Sequence, residues 1–167
     1  IALKKEDNAE FICDCSDLSE IIVIHKDGKY RVTKVSEKAF FGKDILYVGL
    51  FDRNDQRTIY NVIYREGKTS VSYAKRFAVT SVTRDKEYDI TQSTPGSQIL
   101  WFTVNHNGEA ETVKIWYRQR PKLKKLIDEY DFSALGIKGR ASRGNLVSKN
   151  PIQKISLKSK GISTIGG

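Results

Sequence analysis

The residues best suited to chemistry in this 167-residue chain are cations, and they gather late in the sequence. Residues 136–145 read Gly-Ile-Lys-Gly-Arg-Ala-Ser-Arg-Gly-Asn, which puts Lys138, Arg140, Ser142 and Arg143 among three glycines. Glycine lets a backbone come close to a partner, and Lys and Arg supply charge and donors for phosphate oxygens. Other cations stand on strand-like stretches: Lys75 and Arg76 mid-chain, Lys114, Arg118 and Arg120 before the loop, Lys149 and Lys154 after it. The chemistry these types can do is to hold a polyanion through its phosphates.

Charge distribution points the same way. The net charge is +9, yet residues 1–111 carry 16 Lys and Arg against 17 Asp and Glu, and residues 112–167 carry 13 against 3. No acidic residue follows Asp131. A segregated basic region is the electrostatic footprint of a polyanion binder. The plainer alternative, a solubilising basic tail, sits badly with the apolar, strand-like residues of the same stretch.

Groups that could make or break bonds do not assemble. Asp128, Glu129 and Asp131 lie beside Lys124 and Lys125, which reads as charge balance; a magnesium site needs several converging carboxylates. His25 and His106 precede turns and are expected to be exposed. Cys13 and Cys15 are two apart, a spacing that rarely forms a good disulfide. With so few soft ligands no zinc site is expected, and two free thiols suit a reducing cytoplasm. No Gly-x-x-x-x-Gly-Lys loop is present, so no ATP site is expected in this chain. No apolar run approaches the roughly 18 residues that cross a bilayer, and no charged-then-apolar leader opens the sequence. Both ends, Ile1 and Gly166-Gly167, read as cuts in a longer polypeptide.

The elements that must position the cations read as strands. Residues 21–25 and 29–35 flank Asp27-Gly28, the strongest short hairpin signal, expected as a type I′ turn. Residues 58–64 and 69–74 form a second hairpin around Glu66-Gly67, with Phe77, Val79 and Val82 continuing as a further strand. Residues 99–104 and 110–117 form a third, through Asn105–Gly108, and Trp101 and Trp116 would then lie on paired strands. Residues 45–51 are near-continuously apolar and predict burial on both faces. A short strand is expected at 9–15, one turn of helix within 122–130, and two strands after Gly144 broken at Asn150-Pro151. The turn glycines at 28, 67, 108 and 144 step by 39, 41 and 36 residues. Such a period signals a repeated supersecondary unit of the propeller type. The expected fold is one all-β domain over 1–167, with repeats near 9–52, 53–95, 96–135 and 136–167. If the repeats share one pose, the basic residues of their return strands would line one surface.

Three stretches carry a resemblance to a known family: Lys75 to Tyr88, Lys138 to Gly144, and Lys158 to Thr164. On these the chain is similar to the C-terminal domain of the bacterial type IIA topoisomerase A subunit, found in DNA gyrase and topoisomerase IV. It looks most like topoisomerase IV proteins of the Bacteroides group, with gyrase next. The resemblance implies a β-pinwheel, a propeller-like disc whose basic rim binds and bends double-stranded DNA. It implies partners too: the ATPase B subunit of a heterotetramer and the rest of the A subunit, in a bacterial, nucleoid-associated cytoplasmic setting. ATP and magnesium would be used by other domains of that parent. Residues 138–144 look like a degenerate form of the family's basic glycine box: Gly139 precedes Arg140 where the family has arginine, and Ala141-Ser142 replace paired glycines. That weakening puts negative supercoiling in doubt and favours relaxation and decatenation. The family's strand-cleaving tyrosine directly follows an arginine, and no Arg-Tyr pair occurs here. Read from the residues alone, a propeller-type scaffold for an acidic protein remains the competing class.

Overall fold

The computed structural model of the protein describes residues 20–34, 44–80, 82–121 and 123–162. The strand expected at 9–15, with Cys13 and Cys15, lies outside the described residues. Within them the ordered elements are β-strands, apart from a 3-10 turn at Phe132–Ala134. The chain is all-β. No helix among the described residues is long and apolar enough to cross a membrane.

The first hairpin shows how local sequence becomes structure. In β1 (Glu20–His25) the residues from Ile21 to Ile24 are all buried, and β2 (Lys29–Lys34) alternates buried Tyr30 and Val32 with more exposed Lys29, Arg31 and Thr33. The turn is not type I′, because only Gly28 has a positive φ, at 96°. Its amide donates to the His25 carbonyl at 2.9 Å, closing a three-residue loop with a left-handed glycine at its end. The Asp27 carboxylate accepts from the Lys29 amide at 3.1 Å.

The remaining strands are β3 (Ile45–Phe51), β4 (Ile59–Arg65), β5 (Ser72–Phe77), β6 (Glu87–Asp89), β7 (Gln98–Asn105), β8 (Thr112–Tyr117), β9 (Ile127–Asp131), β10 (Ile137–Lys138), β11 (Asn145–Ser148) and β12 (Ile152–Ser159). They form three sheets on one plan. A central strand pairs antiparallel with the next in sequence on one side and a later one on the other, giving β3-β1-β2, β7-β4-β5 and β12-β8-β9. The second unit then lends β6 to β2, and the third lends β11 to β5. β10 adds a two-residue parallel pairing to β5.

This plan corrects several expectations. β7 and β8 lie in different sheets, so residues 98–117 are not a hairpin and Trp101 and Trp116 are not on paired strands. Asn105–Gly108 is still a turn, with the Gly108 amide on the Asn105 carbonyl at 3.1 Å, but it links two sheets. A turn signal is local; whether its flanking strands pair is decided by what else competes for their edges. Residues 127–131 are strand, not helix, because they alternate against β8. β5 ends at Phe77, while Val79 and Val82 stay buried without forming a strand. β3 is an edge strand with Leu50 55% exposed, whereas β4 is buried along nearly its whole length. The two strands after Gly144 occur as expected, at β11 and β12.

β4 divides the interior. Tyr60, Val62 and Tyr64 join Ile22, Ile24, Val32, Phe77 and Ile90 in one cluster. Ile63 joins Ala74, Val113, Ile115, Phe132 and Leu135 in the other. Unit contacts also constrain Gly67, where an added Cβ would lie 2.0 Å from the Pro95 carbonyl oxygen. Both sides of that approach are backbone, so neither can swing away. Gly67→Ala should therefore destabilise the fold by about 1–3 kcal/mol, read as a shifted urea midpoint with unchanged slope.

Candidate nucleic-acid interface

The basic glycine loop is built on β5 and held from behind. β10 and β11 bracket it, both paired with β5. Four successive carbonyls of the loop accept from side chains of the second unit. Lys75 Nζ donates to the Arg140 carbonyl at 2.7 Å and the Ser142 carbonyl at 2.9 Å, Gln92 Nε2 to Ala141 at 3.4 Å, and the Tyr64 hydroxyl to Arg143 at 2.6 Å. With the carbonyls of Arg140, Ser142 and Arg143 held by partly or fully buried side chains, the loop leaves the side chains of Lys138 and Arg143 exposed. Gly144 fits because its φ is 92° and a Cβ there would meet the Ala74 carbonyl oxygen at 2.4 Å.

Lys75 is therefore not a rim cation. It is 1% exposed, and its ammonium donates a third hydrogen bond to the Ile90 carbonyl at 2.7 Å. It cannot reach an external phosphate; it sets the shape of the loop that can. Burial pulls its ammonium down to about 8, against the opposing pull of Asp89. An unfolded lysine keeps its proton to about pH 10.4, so between about pH 8 and about pH 10 the unfolded chain binds the extra proton and the fold gains stability as pH rises. Denaturation of the wild type and of Lys75→Met across that window should show the wild type gaining about 2 kcal/mol relative to the variant. Parallel curves would mean that Lys75 stays charged throughout.

Arg76 is also inside, at 1% exposure, and for a different reason. Its Nε donates to Asn61 Oδ1 at 2.9 Å and its Nη2 to the carbonyls of Gly108 and Glu109 at 2.8 and 3.3 Å. Asn61 Nδ2 in turn donates to the Glu109 carbonyl at 3.0 Å and to Glu111 Oε1. Glu111 Oε2 accepts from Thr103 Oγ1 at 2.6 Å and Trp101 Nε1 at 3.3 Å. This buried polar network ties β4, β5 and β7 to the link that leads into β8.

The third sheet presents a basic and aromatic face. Val113, Ile115 and Tyr117 of β8 point inward, leaving Lys114 and Trp116 on the other face. Lys154 of β12 is the cross-strand partner of Trp116. Lys114 and Lys154 hold their ammonium groups 5.3 and 4.9 Å from the Trp116 ring centroid. Lys158 pairs with Glu129 across the sheet at 2.7 Å. The Arg118 amide donates to the Pro151 carbonyl at 3.0 Å, so the segment just past β8, which carries Arg118 and Arg120, meets the turn that carries Lys149.

The topoisomerase C-terminal domain family described for Bacteroidota matches residues 2–160. The chain belongs to this family. It is also 22% identical over 152 residues to the A subunit of DNA topoisomerase 4 from Borreliella burgdorferi, a match covering 90% of the chain and 22% of that protein. The chain thus spans about a fifth of the length of that relative.

In this topoisomerase C-terminal domain eight of the ten expected site residues fall on the loop, around Trp116 or near the start of β12. Lys138 and Arg143 are exposed on the loop, and the Arg143 guanidinium lies 5.9 Å from the Tyr73 ring centroid. Arg140 is only half-exposed: it lies 4.4 Å from the Tyr88 ring centroid and its Nε donates to the Thr80 carbonyl at 3.2 Å. Lys114 and Lys154 share Trp116, while Lys149, Arg118 and Arg120 are exposed near the start of β12. Lys75 and Arg76 belong to none of these. The cations do not repeat on return strands either: Lys114 is on a central strand, and the return strand β9 is acidic.

Sequence reasoning missed Lys158, which the alternation from Lys154 along β12 could have suggested. It also missed Tyr73, Tyr88 and Trp116 as surfaces beneath cations. The carboxylates near 128 are engaged rather than converging. Asp128 accepts from Lys125 at 3.2 Å, the Glu129 amide at 2.8 Å and the Tyr117 hydroxyl at 3.3 Å, and Asp131 accepts from the Ser133 amide at 2.9 Å. No group of three or more metal-ligating side chains converges among the described residues.

Proposed function

We propose that this chain holds and bends duplex DNA for the A protein of a type IIA topoisomerase, without itself cutting the strand. The observation that carries this reading is the loop at 138–144, whose carbonyls from Arg140 to Arg143 accept from Tyr64, Lys75 and Gln92 while Lys138 and Arg143 face solvent. A preformed loop spends no binding energy on ordering itself. Lys114, Lys149, Lys154, Arg118 and Arg120 extend the basic surface, with Arg140 supporting the loop against Tyr88. Phosphate contacts of this kind give affinity without sequence preference, and a duplex following them would be bent. The B. burgdorferi relative's name makes topoisomerase IV the parent we favour. There the bound segment would be offered to the cleavage gate for relaxation and decatenation. The parent's remaining domains and its ATPase partner would supply cutting and ATP use in the nucleoid.

Binding should be measured by anisotropy on a duplex of about 30 base pairs across a salt series. Log affinity should fall linearly with log salt, by about 0.9 per phosphate contacted, with several contacts in all. End-to-end fluorescence transfer on the same duplex should rise on binding. Affinity that ignores salt, or binding to an acidic protein with none to duplex, would replace this reading with the scaffold.

A further inference from the structure

β8 carries a tryptophan that the interior does not use. Among the described residues Trp116 joins neither interior cluster, and it is partly exposed on the outer face of the third sheet. The ladders place its neighbours. Lys154 of β12 stands opposite it on one side and Ile127 of β9 on the other, and residues opposite each other in an antiparallel ladder share a face. Ile127 is 42% exposed. One row across the three strands therefore reads Lys154, Trp116, Ile127. The next row reads Ser156, Lys114, Glu129. Glu129 holds Lys158 at 2.7 Å, whereas Lys114 and Lys154 both turn to the indole, 5.3 and 4.9 Å from its ring centroid.

This patch is apolar and aromatic at its centre and cationic beside it. Duplex phosphates can use the lysines but not the indole. In a duplex each base face is covered by its stacked neighbours, and only base edges and backbone are offered. An unpaired base offers its face, and stacking on an aromatic side chain tolerates any sequence because every base has such a face. Two ammonium groups on one exposed ring repel each other and hold it weakly. A base can take their place on the ring while they move to the phosphates that flank it.

We propose that the outer face of the third sheet binds an unpaired nucleotide of a single DNA strand, with the base stacked on Trp116 beside Ile127 and the flanking phosphates held by Lys114 and Lys154. The proposal goes beyond the duplex reading, and the loop at 138–144 has no part in it.

The test measures anisotropy with the whole chain and a labelled oligothymidylate of about ten nucleotides. Trp116→Leu should weaken its binding by about tenfold or more, and Trp116→Phe, which keeps an aromatic face, by clearly less. Affinity for duplex should change by less than about twofold in both variants, since the phosphate contacts remain. An abasic strand of the same length should bind the wild type about as weakly as oligothymidylate binds Trp116→Leu. Should leucine disturb the sheet, this abasic strand tests stacking on the wild type alone. Equal binding of the abasic and thymidylate strands overturns the proposal, as does thymidylate affinity that ignores Trp116→Leu. A duplex loss as large as the single-strand loss also overturns it, because Trp116 would then serve the duplex path or the sheet itself. So does a peptide of alternating glutamate and phenylalanine that binds through Trp116 where oligothymidylate does not, since the face would then belong to an acidic protein. Single-strand binding that needs Trp116 in a chain that fails to hold duplex would support this site and remove the duplex reading alone.

Discussion

Replacing Arg76 with methionine should cost the fold about 3–5 kcal/mol. The guanidinium is fully buried and serves Asn61 and two carbonyls in the link after β7. Methionine fills much of the same space but leaves the Gly108 carbonyl and Asn61 Oδ1 without their donor, and Glu111 without the nearby positive charge. Unpaired buried polar groups cost about 1–3 kcal/mol each, and an uncompensated buried charge costs more. Glu111→Gln should also destabilise, since Thr103, Trp101 and Asn61 all donate to that carboxylate. The two changes share one network, so the double variant should lose less than the sum of the single losses. Chemical denaturation followed by tryptophan emission, from Trp101 and Trp116 together, measures all three. A loss below about 1 kcal/mol for Arg76→Met would show the network to be replaceable by packing, as some buried ion pairs are.

Removing exposed cations should leave stability nearly unchanged and weaken DNA binding by orders of magnitude. Lys138, Arg143, Lys149 and Lys154 changed together to glutamine should lower duplex affinity by about 100-fold or more at low salt. The slope of log affinity against log salt should shrink by about one for each residue that touches a phosphate. The loop pair Lys138 and Arg143 can be separated from Lys114 and Lys154 on the third sheet. If both pairs lie on one DNA path, each lowers the slope by about two and their losses add. If only one pair matters, the path crosses only that surface. Lys75→Met offers a contrast, since it removes no exposed charge: affinity should fall while the slope stays, because the loop is loosened and not discharged. A quadruple variant that binds as the wild type does would place the DNA elsewhere.

Much of this protein was readable along the chain. Strand positions came from apolar runs and alternation, as in Tyr30 and Val32 between Lys29, Arg31 and Thr33. Turns came from glycine and its neighbours, and these are local matters of backbone sterics. The basic loop at 138–144 and the charge step after residue 111 were legible for the same reason: composition is additive and needs no partner.

Pairing was not legible in the same way. The turn at Asn105–Gly108 resembles the one at His25–Gly28, yet one joins two sheets and the other joins a hairpin. β4 claims β7 on one edge and β5 on the other, and nothing within β7 announces that. The same holds for charge. Lys75 and Arg76 look like any basic pair on a half-buried strand, and only burial against carbonyls 15 to 67 residues away makes them internal donors. The sequence by itself determined an all-β chain of repeated units with its cations gathered at the end. The tertiary structure decided which strands share a sheet and which cations face water. Those outcomes depend on groups far apart in the chain meeting at hydrogen-bonding distance, and a ladder or a buried ammonium is satisfied only by the partner that arrives.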